Sequence, residues 1–317
     1  MKRIAVLAVL LLAIITLISP ELALAQAYPT RQITYLICFD PGGQSDREAR
    51  RQQPHLDKIL GQKVIIDYKV GGGGALGWRE LVRAKPDGYT VGGFNIPHVI
   101  LQPLQQEVGY KTEQIEPVVV FQRTPLGLAV LDSSPFKTFQ ELIDYAKKNP
   151  GAVTIGGSGT FSGYHMAALR LEKLTGAKYT YVPFNGSAPQ MTAFLGGHVT
   201  SIFGASDDLT RYKDKMRLLA FAYDSRFSEF PNSPTLKELG VDMVEAVDRG
   251  VAVPPKTPEA VIRKLEAAFK EIAARPEIQA EMRSQGFFPV FMGRDESKAY
   301  IQKMTVVYTD LSASLKK

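Results

Sequence analysis

From residue 28 onward, short apolar runs alternate with helix-length amphipathic segments. The runs at 33–39, 63–68, 90–94, 117–122, 126–131, 153–156, 178–183, 199–203, 216–222 and 250–253 read as strands. The segments at 46–60, 76–84, 139–149, 164–175, 189–195, 258–274 and 295–311 read as helices. Strands separated by helices predict βα units and a mostly parallel sheet, hence the α/β class. A chain of 317 residues suggests two domains. No repeat period or low-complexity linker separates them, so crossing strands rather than a flexible tether should join them.

Helix punctuation agrees with this assignment. Ser45 with Glu48, and Thr138 with Glu141, have capping-box spacing. Thr257-Pro258 reads as an N-cap followed by proline at the first helical position. Gly61 and Gly176 stand just past two helix ends, where a left-handed residue is favoured. Pro54 inside the first helix conflicts with it and predicts a kink or a shortened helix.

The chain starts differently. Lys2 and Arg3 precede an uncharged apolar run that Pro20 and Glu21 break, and Ala23-Leu24-Ala25 then has the small-x-small form of a signal-peptidase site. Ala25-Gln26-Ala27 offers a second register. The run is short for a membrane span, so residues 1–25 are expected to be a cleaved secretory signal and the mature protein periplasmic. Its removal takes away Lys2, Arg3 and Glu21 and lowers the formal charge from +6 to +5.

A hydrophobic content of 45% and a charged content of 22% exclude a disordered tail, a coiled coil, a collagen-like chain and a polytopic membrane protein. The single cysteine, Cys38, excludes an intramolecular disulfide and a Cys-rich zinc site. In an oxidising compartment a lone thiol should be buried, and Ile37 and Phe39 place it inside a strand. Arg47, Arg50 and Arg51 come closest to a basic cluster but lack interleaved aromatics, so no nucleic-acid partner is expected. A mildly basic exported protein favours anionic ligands, although a generic basic surface explains the same charge.

The most informative stretch for chemistry is Asp40-Pro41-Gly42-Gly43-Gln44-Ser45-Asp46, directly between a strand and a helix. Its two glycines let the backbone approach a ligand, and the helix N-terminus adds free N–H groups and a positive dipole end. Such a turn suits a carboxylate or phosphate, and an ordinary capped turn looks the same in sequence. It has neither the Lys-Ser/Thr ending of a P-loop nor the three spaced glycines of a dinucleotide fingerprint. A second loop, 156–163, also joins a strand to a helix and carries Ser158, Thr160 and Ser162. Two helix N-termini meeting beyond the carboxyl ends of their strands would hold an anion from both sides. Gly71 to Gly74 reads as a structural loop of close backbone approach. No HExxH or GxSxG motif occurs, and the four histidines have no evident catalytic partner. His165 reads as a cap or packing residue. Asp207-Asp208 has no third ligand nearby and reads as a solvated loop end, so neither metal nor cofactor is expected.

The mature chain resembles the Bug proteins, periplasmic substrate-binding components of tripartite tricarboxylate transporters. The likeness begins at Tyr28-Pro29-Thr30-Arg31-Gln32-Ile33 and Phe39-Asp40-Pro41-Gly42-Gly43-Gln44-Ser45-Asp46. It continues through Lys85-Pro86-Asp87-Gly88-Tyr89-Thr90, Gly157-Ser158-Gly159-Thr160 with His165, and Tyr181-Val182-Pro183-Phe184-Asn185-Gly186. Leu195-Gly196-Gly197-His198-Val199, Phe230-Pro231-Asn232-Ser233-Pro234-Thr235 and Val253-Pro254-Pro255-Lys256-Thr257-Pro258 extend it to the end, and the order of the motifs is more specific than any one of them.

The resemblance implies a two-lobed, Venus-flytrap solute-binding fold with a cleft between lobes, here 28–130 plus 247–317 and 131–246. It implies a small carboxylate held by the loop around Phe39, Gly43, Gln44, Ser45 and Asp46 and by the facing Ser158, Thr160 and Ser162. It further implies a monomer delivering its ligand to the membrane permease subunits of such a transporter, or presenting it to a sensor kinase. Cys38 and Asp40 stand where family members often have proline or another small residue, and Gln44 replaces a frequent glycine.

Arg249 lies in Val247-Asp248-Arg249-Gly250-Val251, where the chain should return to the first lobe. A guanidinium there could take a second carboxylate bidentately, which favours a dicarboxylate, aromatic if Phe39 and Phe161 contribute. The competing expectation is a surface pair with Asp248 or Glu245. A binding protein without enzymatic activity is the expected function, and a secreted hydrolase acting on a small carboxylate ester is the alternative.

Overall fold

The computed structural model describes residues 28–315, so the expected signal at 1–25 lies outside the described residues. The chain runs β1 (Ile33–Ile37), α1 (Gln44–Leu60), β2 (Val64–Tyr68), α2 (Ala75–Arg83), β3 (Thr90–Ile96), α3 (His98–Gln105) and β4 (Glu116–Leu131). It continues with α4 (Phe139–Lys148), β5 (Val153–Ser158), α5 (Gly163–Thr175), β6 (Tyr179–Phe184), α6 (Ser187–Leu195), β7 (Ser201–Ala205), α7 (Ser206–Arg211) and β8 (Met216–Ala222). It closes with β9 (Ala246–Val253), α8 (Glu259–Ala273), α9 (Pro276–Ser284), β10 (Phe288–Met292) and α10 (Arg294–Leu315). Among the described residues no helix is long and apolar enough to cross a membrane.

β4 organises the molecule. Its sixteen residues are mostly apolar and buried along both faces, as a central strand requires. Residues 116–125 pair antiparallel with β9, and residues 126–131 pair with β7 and β8. The strand order β2-β1-β3-β9-β4-β7-β5-β6 therefore passes through β4, with β1, β2 and β3 parallel at one end and β5, β6 and β7 parallel at the other. The sequence predicts two strands here because polar Gln122 to Thr124 and Pro125 interrupt the apolar run. They form one because cross-strand partners satisfy the polar groups: Thr124 donates to the Val247 carbonyl at 2.9 Å and Arg123 pairs with Asp248.

The buried apolar residues divide the same way. Two clusters draw on 28–121 and 251–308, with Met166 the one residue taken from elsewhere, and two others draw on 126–247. At Pro125–Leu126 the partner of β4 switches from β9 to β7 and β8.

Several caps depart from expectation. Thr138 and Glu141 form the capping box, and Gly61 and Gly176 close α1 and α5 in the left-handed conformation. Ser45 does not cap α1, because the helix already starts at Gln44 with Gly43 as N-cap, and Glu48 turns to Arg51 and Gln52 instead. Thr257 donates to the Pro254 carbonyl rather than capping α8. α1 runs through Pro54 without ending there. α3, α7, α9 and β10 were not legible as elements because they are short or interrupted by proline.

Candidate functional site

The turn between β1 and α1 is built around Asp46. Gly42, in the left-handed region, donates its N–H to Asp46 Oδ2 at 2.7 Å, while Tyr68 and Arg50 donate to Oδ1 at 2.6 and 2.9 Å. Burial works to raise the carboxyl, but the bonds from Tyr68, Gly42 and Arg50 outweigh it and hold the group below its ordinary value. Asp46 therefore shapes the loop, and the next group toward the cleft is Gln44.

Gln44 is 3% exposed and has every polar direction of its side chain engaged. Its carboxamide oxygen accepts from the Tyr164 hydroxyl at 3.0 Å and from the Arg249 guanidinium. Its Nε2 donates to Asp207 Oδ1 at 2.5 Å and to Asp208 Oδ2 at 3.2 Å. Its backbone N–H donates to Ser187 Oγ at 3.2 Å. One side chain thus joins α1 to β9, α5 and α7.

Arg249 reaches Gln44 from β9. Register pairs it with Asn95 of β3 and Gln122 of β4, which sets the three side chains in a row on one sheet face. Asp248 points to the opposite face, where Arg123 holds it through two bonds of 2.7 and 3.0 Å. Glu245 pairs with Arg170. Neither expected surface pair of Arg249 forms. Arg249 is 4% exposed, and its hydrogen-bond partners among the described residues are the neutral oxygens of Gln44 and Thr124. Its Nε, both ring nitrogens of His98 and both polar atoms of the Gln122 side chain have no partner at hydrogen-bonding geometry. His98 is fully buried, edge-on to Phe39, Trp78 and Tyr164 with ring centroids 6.0, 6.4 and 6.0 Å apart. Burial first, then the charge of Arg249, pushes it down to about 3, so the ring is neutral.

Asp207 and Asp208 are buried rather than solvated. Arg47 of α1 bridges them, reaching Asp208 at 3.1 Å and Asp207 in a closer contact. Burial and the neighbouring Asp208 carboxylate push Asp207 up to about 7, against the pull of Arg47 and Arg249.

The second loop is rigid for local reasons. Ser162 caps α5 by accepting from the His165 N–H at 3.2 Å and donates to the Gly159 carbonyl at 2.8 Å. Phe161, at φ +50, is held in that conformation by its N–H bond to His165 Nδ1 at 3.2 Å. Gly159 meets Gly73 so closely that a Cβ on either would lie 3.2–3.3 Å from the other's Cα. The third glycine run, read from sequence as structural, therefore faces the second loop. Beside this contact a cavity of about 290 Å³ opens between Gly73 and Gln106 on one side and Thr160, Phe184 and Asn185 on the other.

Of the residues the sequence singles out, Gln44 and Arg249 touch directly, Phe39 packs edge-on to His98 and Trp78, and Thr160 lines the cavity. Ser158 is buried at the end of β5. Gly43 caps α1 against Ser187, and Ser45 is half-buried on the first turn. Asp46 and Ser162 are engaged within their own loops. Tyr164, Asp207, Asp208, His98 and Thr124 were not singled out as ligand-binding: each joins the cluster around Gln44 and Arg249 through a partner far away in sequence. Asp207 and Asp208 were visible only as an acidic pair.

Residues 48–309 match the model of the tripartite tricarboxylate transporter family receptor. A Cupriavidus necator relative, a UPF0065 protein of the gbd 5′ region, is 32% identical over 87% of this chain and 85% of its own length. Protein BugT of Bordetella pertussis is 28% identical over 92% of this chain and 93% of its own. The structure of an R. palustris protein with adipate superposes with a TM-score of 0.86 at 25% identity, over 91% of this chain and 98% of that one. The fold is accordingly the two-lobed one of periplasmic binding proteins. The chain belongs to the tripartite tricarboxylate transporter receptor family, as a solute-binding receptor of the Bug type.

Proposed function

We propose that this receptor captures a small dicarboxylate in the periplasm and delivers it, as a monomer, to the permease subunits of a tripartite tricarboxylate transporter. The single observation that carries the ligand class is Arg249, a buried guanidinium whose hydrogen-bond partners among the described residues are neutral. A buried cation that hydrogen-bonds only neutral oxygens gains a direct ion pair from an incoming carboxylate, which offsets part of the cost of burying its charge. The adipate bound by the R. palustris relative is a ligand of this kind. The other carboxylate goes to the facing loops, where the hydroxyls of Ser45 and Thr160 make no hydrogen bond within the described residues. Phe39 supplies an apolar wall between the two ends. In this reading lobes 28–130 plus 247–317 and 131–246 hinge on β4 and β9, and the signal at 1–25 is removed on export. Calorimetric titration with a panel of mono- and dicarboxylates, with product analysis of each mixture, tests it. Stoichiometric binding of a dicarboxylate with the compound recovered intact is expected. Turnover of a bound compound, or no binding across the panel, contradicts it.

A further inference from the structure

We propose that Gln44 is an internal competitor for the ligand's second carboxylate and so sets how strongly this receptor prefers two-headed ligands; the inference rests on the carboxylate reading above. The Tyr164 hydroxyl and the Arg249 guanidinium converge on one atom, the Gln44 carboxamide oxygen. A carboxylate oxygen that reaches Arg249 and Tyr164 must take that same place. The amide is a neutral stand-in for the anion: it satisfies the donors and does not neutralise the charge.

The guanidinium meets only a dipole in the amide but a full opposite charge, in a geometry that can be bidentate, in a carboxylate, so the anion displaces the amide, and the amide's bonds are subtracted from the gain. The displaced amide also gives up its bonds to Asp207 and Asp208, both of which keep Arg47. A ligand with one carboxylate and an apolar tail makes no demand on Arg249 and leaves Gln44 where it is. Because Gln44 also reaches Tyr164, Ser187, Asp207 and Asp208, it ties α1 to the elements it faces. Any substitution therefore loosens these ties for all ligands, and the informative quantity is the ratio of affinities.

The test titrates adipate and succinate, each against its one-headed counterpart, hexanoate and butyrate, into wild type, Gln44→Ala and Gln44→Asn. Asparagine keeps the amide on a side chain one methylene shorter, too short to span from α1 to Arg249. Thermal melts confirm that each variant is folded. In both variants the dicarboxylate-to-monocarboxylate ratio should rise by about tenfold, the equivalent of one charged hydrogen bond released from competition. An unchanged ratio in both overturns the proposal, and a lower ratio means that Gln44 itself holds the second carboxylate. If wild type binds no member of the panel, the function reading fails and takes this inference with it. Binding with an unmoved ratio removes this inference alone.

Discussion

Arg123 and Asp248 face one another across β4 and β9 in a two-pronged ion pair of 2.7 and 3.0 Å, and the neighbouring Arg249 hydrogen-bonds neutral oxygens instead of this carboxylate. Strand alternation makes the separation complete: residues 248 and 249 point to opposite faces, so Asp248 cannot turn to its neighbour.

Removing Arg123 leaves the buried Asp248 carboxylate without its counter-ion and with the Tyr300 hydroxyl as its remaining side-chain donor. Arg123→Ala should lower stability by about 2–3 kcal/mol, less than for a fully enclosed pair because the arginine is partly exposed. Urea unfolding monitored by circular dichroism reads the change. A midpoint equal to wild type would show that the pair contributes nothing at this junction.

The neutral state of His98 is directly visible. Burial and Arg249 hold its pKa at about 3, so its ring signals in NMR should show no titration midpoint between pH 8 and 5. A midpoint near 6.5 would place the ring in water and contradict its burial among Phe39, Trp78 and Tyr164.

Asp207 acts in the opposite direction. Its folded value of about 7 exceeds the value of about 3.9 expected in the unfolded chain, so the native state binds the extra proton between these limits. Its contribution is fully present below the unfolded value and is lost as pH rises toward 7. His98 favours the unfolded state on acidification and masks this in wild type alone. The stability difference, wild type minus Asp207→Asn, isolates it and should fall as pH rises from 5 to 8. Paired melts that keep a constant difference would contradict the assignment.

The contact between Gly73 and Gly159 requires two bare backbones. Gly73→Ala places a Cβ 2.9 Å from Gln102 Nε2 and 3.3 Å from the Gly159 Cα, at a φ of +63 that L residues rarely adopt. Ligand affinity should drop at least about tenfold because the lobes cannot close fully. Small-angle scattering of the variant at saturating ligand should give a larger radius than wild type. An unchanged affinity would mean that this contact is irrelevant to closure.

Much of this was legible in the residues. Apolar periodicity locates β1, β8 and α4, because these features depend on neighbours in sequence. The continuous β4 was not legible. Its polar centre becomes acceptable only when β9, more than a hundred residues later, supplies Asp248 and the Val247 carbonyl. Asp207 illustrates the same limit. Nothing local distinguishes a solvated acidic pair from one buried against Arg47 and Gln44 across 160 residues of chain.

The central claim is that Arg249 recognises a second carboxylate. Its most direct test measures adipate and hexanoate binding to wild type and to Arg249→Ala. Loss of charged hydrogen bonds worth about 1.5–3 kcal/mol each should weaken adipate by roughly tenfold to a few hundredfold. Hexanoate, which never uses that partner, should change far less. Equal losses for both ligands would show that Arg249 supports the fold or the first carboxylate, and would contradict the account.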